Sequence, residues 1–182
     1  SSYAARNRGI RYAKHSVLAF IDSDCVAMRE WLYEGVRALE ARTADLAGGK
    51  VEFFLSKQRT VAEMYDAITF FHMEFYIQQQ GVTGAGNLFV KRAVFEAIGF
   101  FPDSVQSGGD IQWTGKATGN GFRLVFAPQA VVKHPARPLK ELMKKNFRVG
   151  TGLPAIWRSR SMTPTAVALA AAKLFFPPRP SL

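Results

Sequence analysis

A continuous apolar run, Val17-Leu18-Ala19-Phe20-Ile21, stops abruptly at Asp22-Ser23-Asp24. Apolar residues without polar interruption read as a strand covered on both faces, the kind that lies inside a parallel or mixed sheet. Such a strand needs helices above and below it, and the flanking sequence supplies candidates. Ser2–Lys14 carries Ala5, Ile10 and Ala13 among basic residues, and Trp31–Ala41 has helical periodicity. A second strand is expected within Asp45–Phe54, with Gly48-Gly49 as a bulge. Thr60–Gln80 reads as one long helix whose Tyr65, Phe70, Phe71, Phe75 and Tyr76 recur at helical spacing, a stripe expected to face the core.

The alternation continues. Gly84-Ala85-Gly86-Asn87 is a turn into a short strand, Leu88–Val90, and Lys91–Ile98 is a helix stopped by Gly99. A loop to Gly108 leads into a helix over Gly109–Thr118, closed by Gly119-Asn120-Gly121. Phe122–Ala127 and Ala130–Val132 are strand-like and end at His134-Pro135. Strands alternating with helices predict an α/β fold with a mixed sheet. The chain has 182 residues, 48% hydrophobic and 21% charged, enough for one packed domain and too apolar for a disordered chain. Its single cysteine, Cys25, excludes an internal disulfide. The first residues read as a helix already under way, with neither a methionine nor a signal segment, so an upstream part is expected.

Charge is unevenly spread. Ser1–Asp110 holds 12 Lys/Arg against 13 Asp/Glu, whereas Ile111–Leu182 holds 12 against Glu141 alone. From Leu139 onward, Leu139, Leu142, Met143 and Phe147 lie on one helical face while Lys140, Lys144, Lys145 and Arg148 point elsewhere. That is a basic amphipathic helix of the kind that lies in a membrane interface. The apolar stretch Met162–Phe176 after it is shorter than the ~20 residues of a spanning helix. Two segments are therefore expected: residues 1–138 as a globular domain and 139–182 as a tail on an anionic membrane. A solvated basic face is the plainer alternative. Basic residues ahead of the apolar stretch put the domain on the cytoplasmic face of the cell membrane. No nucleic-acid partner is expected, because the tail lacks stacking aromatics on a sheet face.

In an extended strand Asp22 and Asp24 share a side while Ser23 points away. They sit beyond the carboxyl end of a strand, where open α/β sheets collect ligands. Two hard carboxylates there suit Mg²⁺ or Mn²⁺ held jointly with a phosphorylated substrate. Equally, aspartates end many strands simply by opening a turn.

A wider pattern bears on that choice. AARNRGIRYAKHSVLAFIDSD resembles the nucleotide-sugar half of family 2 glycosyltransferases, inverting enzymes of the GT-A fold, in which an Arg-Asn-x-Gly helix leads into a strand ending in D-x-D. GAGNLFVKRAVFEAIGFFPDSVQSGGDIQW and GNGFRLVFAPQAVVKHP resemble the acceptor half in the same order, so the likeness runs from about Ala4 to Gly152. It implies a GT-A-like fold and transfer of a sugar from a nucleotide-sugar donor to a glycan or lipid-linked acceptor. It further implies that Asp22 and Asp24 bind the metal, joined by His134, and that Arg6, Asn7 and Ser23 contact the donor. Asp110 would be the general base, and Gly86, Asn87 and Trp113 would border the acceptor. Asp110 near a helix start also reads as a capping aspartate, and a lone His134 as structural.

Three departures from the family pattern qualify this. Gly109 stands where relatives have an acidic residue, giving Gly-Gly-Asp. The Q-x-x-R-W motif of processive synthases is missing, which favours single transfers. The family's opening strand–helix–strand is also missing, so the chain is expected to be a fragment that is inactive alone. A sugar nucleotidyltransferase would need a glycine-rich basic phosphate loop near the N-terminus, and none is visible. A non-catalytic binding module is the remaining alternative.

Overall fold

The computed structural model describes residues 1–70 and 72–159, together with Thr163 and Thr165. The order of elements is α1 (Ser2–Tyr12), β1 (Val17–Ile21), β2 (Val26–Ala27), α2 (Trp31–Ala41), β3 (Leu46–Phe54), α3 (Val61–Thr69), α4 (Met73–Gln80), β4 (Asn87–Lys91), α5 (Arg92–Ile98), α6 (Gly109–Gly119), β5 (Leu124–Pro135) and α7 (Leu139–Ser159). The strands form one mixed sheet in the order β1-β4-β3-β5-β2. Only β3 and β5 run parallel; the other neighbouring pairs are antiparallel. One face buries Tyr3 and Ile10 of α1, Val94 and Phe95 of α5, and Trp113 of α6. The other packs Leu39 of α2 against Ala47, Phe89 and Val125. Helices on both faces of a mixed sheet are the α/β architecture expected from the alternation.

Several elements depart from expectation. β1 is an edge strand, paired to β4 alone, and its second face is only partly covered: Val17 packs against the cluster of Leu39 and Phe89, Ala19 and Ile21 are exposed, and Leu18 and Phe20 turn to the first core. A continuous apolar run therefore marks a strand here but not one fully covered on both faces. Thr60–Gln80 is two helices, separated at Phe70, whose backbone is extended. Their buried residues are Glu63, Asp66, Met73 and Ile77, whereas Tyr65 and Phe75 are exposed. Tyr65 and Phe75 are therefore not core, and Phe70 and Tyr76 are half-buried, because α3 turns two carboxylates inward instead: Glu63 closes its own capping box with Thr60, and Asp66 meets cations from later in the chain. Phe71 and nearly all of Met162–Phe176 lie outside the described residues.

The irregularity expected at Gly48-Gly49 falls opposite those residues, on β5, and not within β3. The register of β3 with β5 shifts between Gly49 and Lys50, and β5 accommodates Pro128–Ala130 as one long strand instead of two. α7 begins at the expected change of character. Its Leu142 and Lys145 pack onto the domain, while Leu139, Met143 and Phe147 are exposed. Among the described residues no helix is long and apolar enough to cross a membrane.

Candidate active site

From Ile21 at one sheet edge the chain passes through Asp22–Cys25 and re-enters at the other edge as β2, unforeseen from sequence. This crossing carries the D-x-D across the end of the sheet. It is a turn and not an extended strand: the Cys25 amide donates to Asp22 O at 3.0 Å. The two carboxylates consequently take different partners instead of sharing one side by alternation. Asp22 Oδ1 meets Arg6 Nη2 of α1 at 2.5 Å, and Arg6 lies over the Tyr3 ring. Asp24 Oδ2 lies 3.3 Å from His134 Nε2 and 3.7 Å from Arg137 Nη2. Ser23 is exposed at the tip of the turn. The pairing of β2 with Val132 and Lys133 brings Asp24 beside His134.

His134 is fully buried at the end of β5. An arginine is always a donor, so the contact of Arg137 Nη2 with His134 Nε2, 2.8 Å, makes Nε2 the acceptor. Nδ1 then carries the proton and donates to Pro135 O at 2.6 Å. Burial and the neighbouring Arg137 both hold the imidazole below its usual range, against the pull of Asp24 and Asp22. Donor atoms of Asp24, Cys25 and His134 come within 4.8 Å of one another. Burial, then the charges of Asp22 and Asp24, push the Cys25 thiol up to about 12, so it stays protonated. A thiol is a poor ligand for a hard cation, which leaves carboxylate oxygen and imidazole nitrogen, a donor set that fits Mn²⁺ or Mg²⁺.

Asp110 occupies the first turn of α6, where the helix end favours a negative charge. Its Oδ1 accepts from Tyr3 OH at 3.1 Å and from the Ile111 amide at 3.0 Å; Oδ2 accepts from the Ala85 amide at 2.9 Å. Burial, then the charge of Asp110, push the Tyr3 phenol up to about 12, so it remains a donor. Gly109 fits this arrangement. A Cβ there would lie 2.9 Å from Val105, 3.0 Å from the Tyr3 ring and 3.1 Å from Pro102 O. An acidic side chain would displace the tyrosine that orients Asp110.

The turn before β4 joins these parts. Ala85 holds the Asp110 carboxylate, and Gly86 O accepts from the Asp22 amide at 3.3 Å. Asn87, fully buried, donates from Nδ2 to Lys50 O and Ala130 O, both at 2.8 Å, and accepts from Trp31 Nε1 at 2.8 Å. Its side chain fills the space left by Gly49, where a Cβ would lie 2.3 Å from Asn87 Nδ2 and from Ala130 O.

The structure thus brings together Arg6, Asp22, Asp24, Gly86, Asp110 and His134. Asn7, Asn87 and Trp113 are instead buried among protein partners. Asn87 engages the sheet backbone. Trp113 is buried, stacked on Phe95 at 4.2 Å with its indole donating to Gly99 O, so the polar atoms of both are taken up within the protein. Asn7 is buried too, and its amide exchanges hydrogen bonds with the Phe101 backbone at 2.8 and 3.1 Å. A motif fixes where such residues fall in the chain, and burial decides which way they face.

The model of the family described as "Glycosyl transferase family 2" matches residues 2–99, more than half of the chain. The chain belongs to glycosyl transferase family 2. The matched span covers the D-x-D and Asn87 but ends before Asp110 and His134. A curated family relative, Glycosyltransferase AglE of Haloferax volcanii, is 45% identical over 156 residues, 86% of this chain and 51% of the relative. The chain therefore spans about half the length of that relative. Mannosyltransferase PcManGT from Pyrobaculum calidifontis, solved with GDP-Man and Mn²⁺, matches with a TM-score of 0.60 at 19% identity, over 99% of this chain and 56% of that one. GalNAc-T7, solved with UDP, GalNAc and Mn²⁺, matches with a TM-score of 0.56 at 16% identity, over 75% and 31%. At these identities the likeness is one of fold, and it supports the GT-A-like assignment.

Within this family 2 chain, sequence reasoning passed over Cys25, Asp66 and Arg137. Arg137 follows the strand-ending His134-Pro135 closely, a local signal that could have been read. Asp66 gave none, since one acidic residue in an amphipathic helix reads as surface.

Proposed function

We propose that the complete protein transfers a sugar, with inversion, from a nucleoside-diphosphate donor to a hydroxyl of a glycan or lipid-linked acceptor. The observation that carries this reading is the turn Gly84–Asn87, which ties the Asp110 carboxylate and the Asp22 backbone into one site. Asp24, with Asp22 alongside, would hold Mg²⁺ or Mn²⁺, and His134 Nε2 would join them once Arg137 Nη2 turns from that nitrogen to the diphosphate. Bound there, the ion would supply a positive charge to balance the leaving diphosphate. Arg137 lends a second positive charge at the same corner, and Arg6 orients Asp22. Asp110 accepts the proton of the acceptor hydroxyl as its oxygen attacks the anomeric carbon opposite the leaving group, which inverts the configuration. Tyr3 and the Ala85 amide hold the base in direction. Family membership and the complexes of PcManGT with GDP-Man and GalNAc-T7 with UDP support a nucleotide-sugar donor.

In this reading the enzyme works on the cytoplasmic face of an anionic membrane, with α7 in the interface, where a lipid-linked acceptor would meet the site. The supporting features are the apolar row Leu139, Met143, Phe147 and the exposed Lys140, Lys144 and Arg148 beside it. The test of the donor site is calorimetry of GDP and UDP on the full-length protein with Mn²⁺. One of the two should bind only with metal, and the Asp22→Asn/Asp24→Asn variant should lose most of that binding. Metal-independent binding, or unchanged affinity in the variant, would sink the assignment.

A further inference from the structure

Asp66 lies on α3, apart in sequence from every motif residue, and it is fully buried. A carboxylate in that position is tolerated only when paired and hydrogen-bonded. Its Oδ2 accepts from the Arg137 amide at 3.0 Å and from Arg137 Nη1 at 3.3 Å. Its Oδ1 accepts from Lys145 Nζ of α7 at 3.0 Å, and that ammonium also lies over the Phe70 ring. One oxygen therefore grips Arg137 by both backbone and side chain. The guanidinium is planar and rigid, so fixing one arm directs the other. The free arm, Nη2, is the group that reaches His134 Nε2 and Asp24 Oδ2. The placement of a cation at the Asp24–His134 corner is thus set from α3, on the far side of the guanidinium.

We propose that Asp66 is a positioning residue for the donor site: it holds Arg137 beside Asp24 and His134 to receive diphosphate oxygens, and through Lys145 it makes that placement depend on the docking of α7. The inference rests on the reading of that corner as the diphosphate end of the site.

Two measurements on the full-length protein test it. The first needs no ligand. The ring nitrogen signals of His134, followed by NMR without metal, should shift in Asp66→Asn as Arg137 loses its hold. The second is metal-dependent binding of GDP or UDP. Removal of an outer partner of a metal site commonly weakens binding about 10- to 100-fold, and Asp66→Asn should do the same. Because Asp66 acts through Arg137, adding Asp66→Asn to Arg137→Ala should cost less than about threefold more. Unmoved ring signals, or losses that simply add, would overturn the proposal. Should the wild type bind no nucleoside diphosphate, the proposed function falls while the ring signals still decide the role of Asp66. Should Asp66→Asn not fold, Arg137→Lys keeps the charge but cannot bridge both groups. It should move the same signals, and unmoved signals there count equally against the idea.

Discussion

Asn87 makes three side-chain hydrogen bonds from full burial, two to the backbones of β3 and β5 and one from the Trp31 indole. Ala130 O is buried and would be stranded if the amide were removed, and Lys50 O and Trp31 Nε1, part-buried, would each lose their partner. Asn87→Ala should therefore cost about 3 kcal/mol of stability, read from the shift in denaturant midpoint. A loss within about 0.5 kcal/mol, as for an ordinary surface change, would contradict the structural role assigned to it. Asp22 and Asp24 stood out in the sequence at a strand end, whereas Asp110 and His134 were singled out by the resemblance to family 2 glycosyltransferases and not by their positions alone. Their partners were not legible, because Arg137 and Asp66 meet across 71 residues and only the fold brings them together. Asn87 and Trp113 stood in the right motif yet point inward. No spacing rule distinguishes a polar group aimed at a ligand from one aimed at a bulge.

At the scale of elements, the strands and most helices follow from the apolar periods, whereas their burial does not. β1 reads as interior and lies at an edge; α3 and α4 read as one helix and break where the inward face changes from carboxylates to Met73 and Ile77. α7 shows the same limit at finer grain. Its basic residues look alike in sequence, yet Lys145 turns inward to Asp66 while Lys144 is exposed. Burial lowers the Lys145 ammonium to about 7, although Asp66 opposes the shift. The two lysines should therefore respond differently. A Lys140→Glu/Lys144→Glu/Arg148→Glu variant should bind anionic vesicles about 100-fold more weakly, at about 1 kcal/mol per lost basic residue. Lys145→Glu should instead lower the melting temperature by setting a second carboxylate against Asp66. Equal binding of the wild type to neutral vesicles would leave the apolar row alone as the anchor.

Over the whole molecule, two helical layers clamp one mixed sheet, and every group assigned to the chemistry gathers at one end of it. Asp22 and Asp24 arrive by the crossing from β1 to β2, His134 and Arg137 by the end of β5, and Asp110 by the start of α6. The turn Gly84–Asn87 connects them, so donor and acceptor groups share one frame. If that is the arrangement of an inverting transferase, donor binding and proton removal must separate cleanly. Asp110→Asn in the full-length protein measures this most directly, with donor binding followed by calorimetry and sugar transfer by product formation. Donor affinity should stay near that of the wild type while turnover falls by at least the ~10²-fold typical of a positioned base. Turnover near the wild-type rate, or donor binding lost along with it, would contradict the assignment of Asp110 as the base.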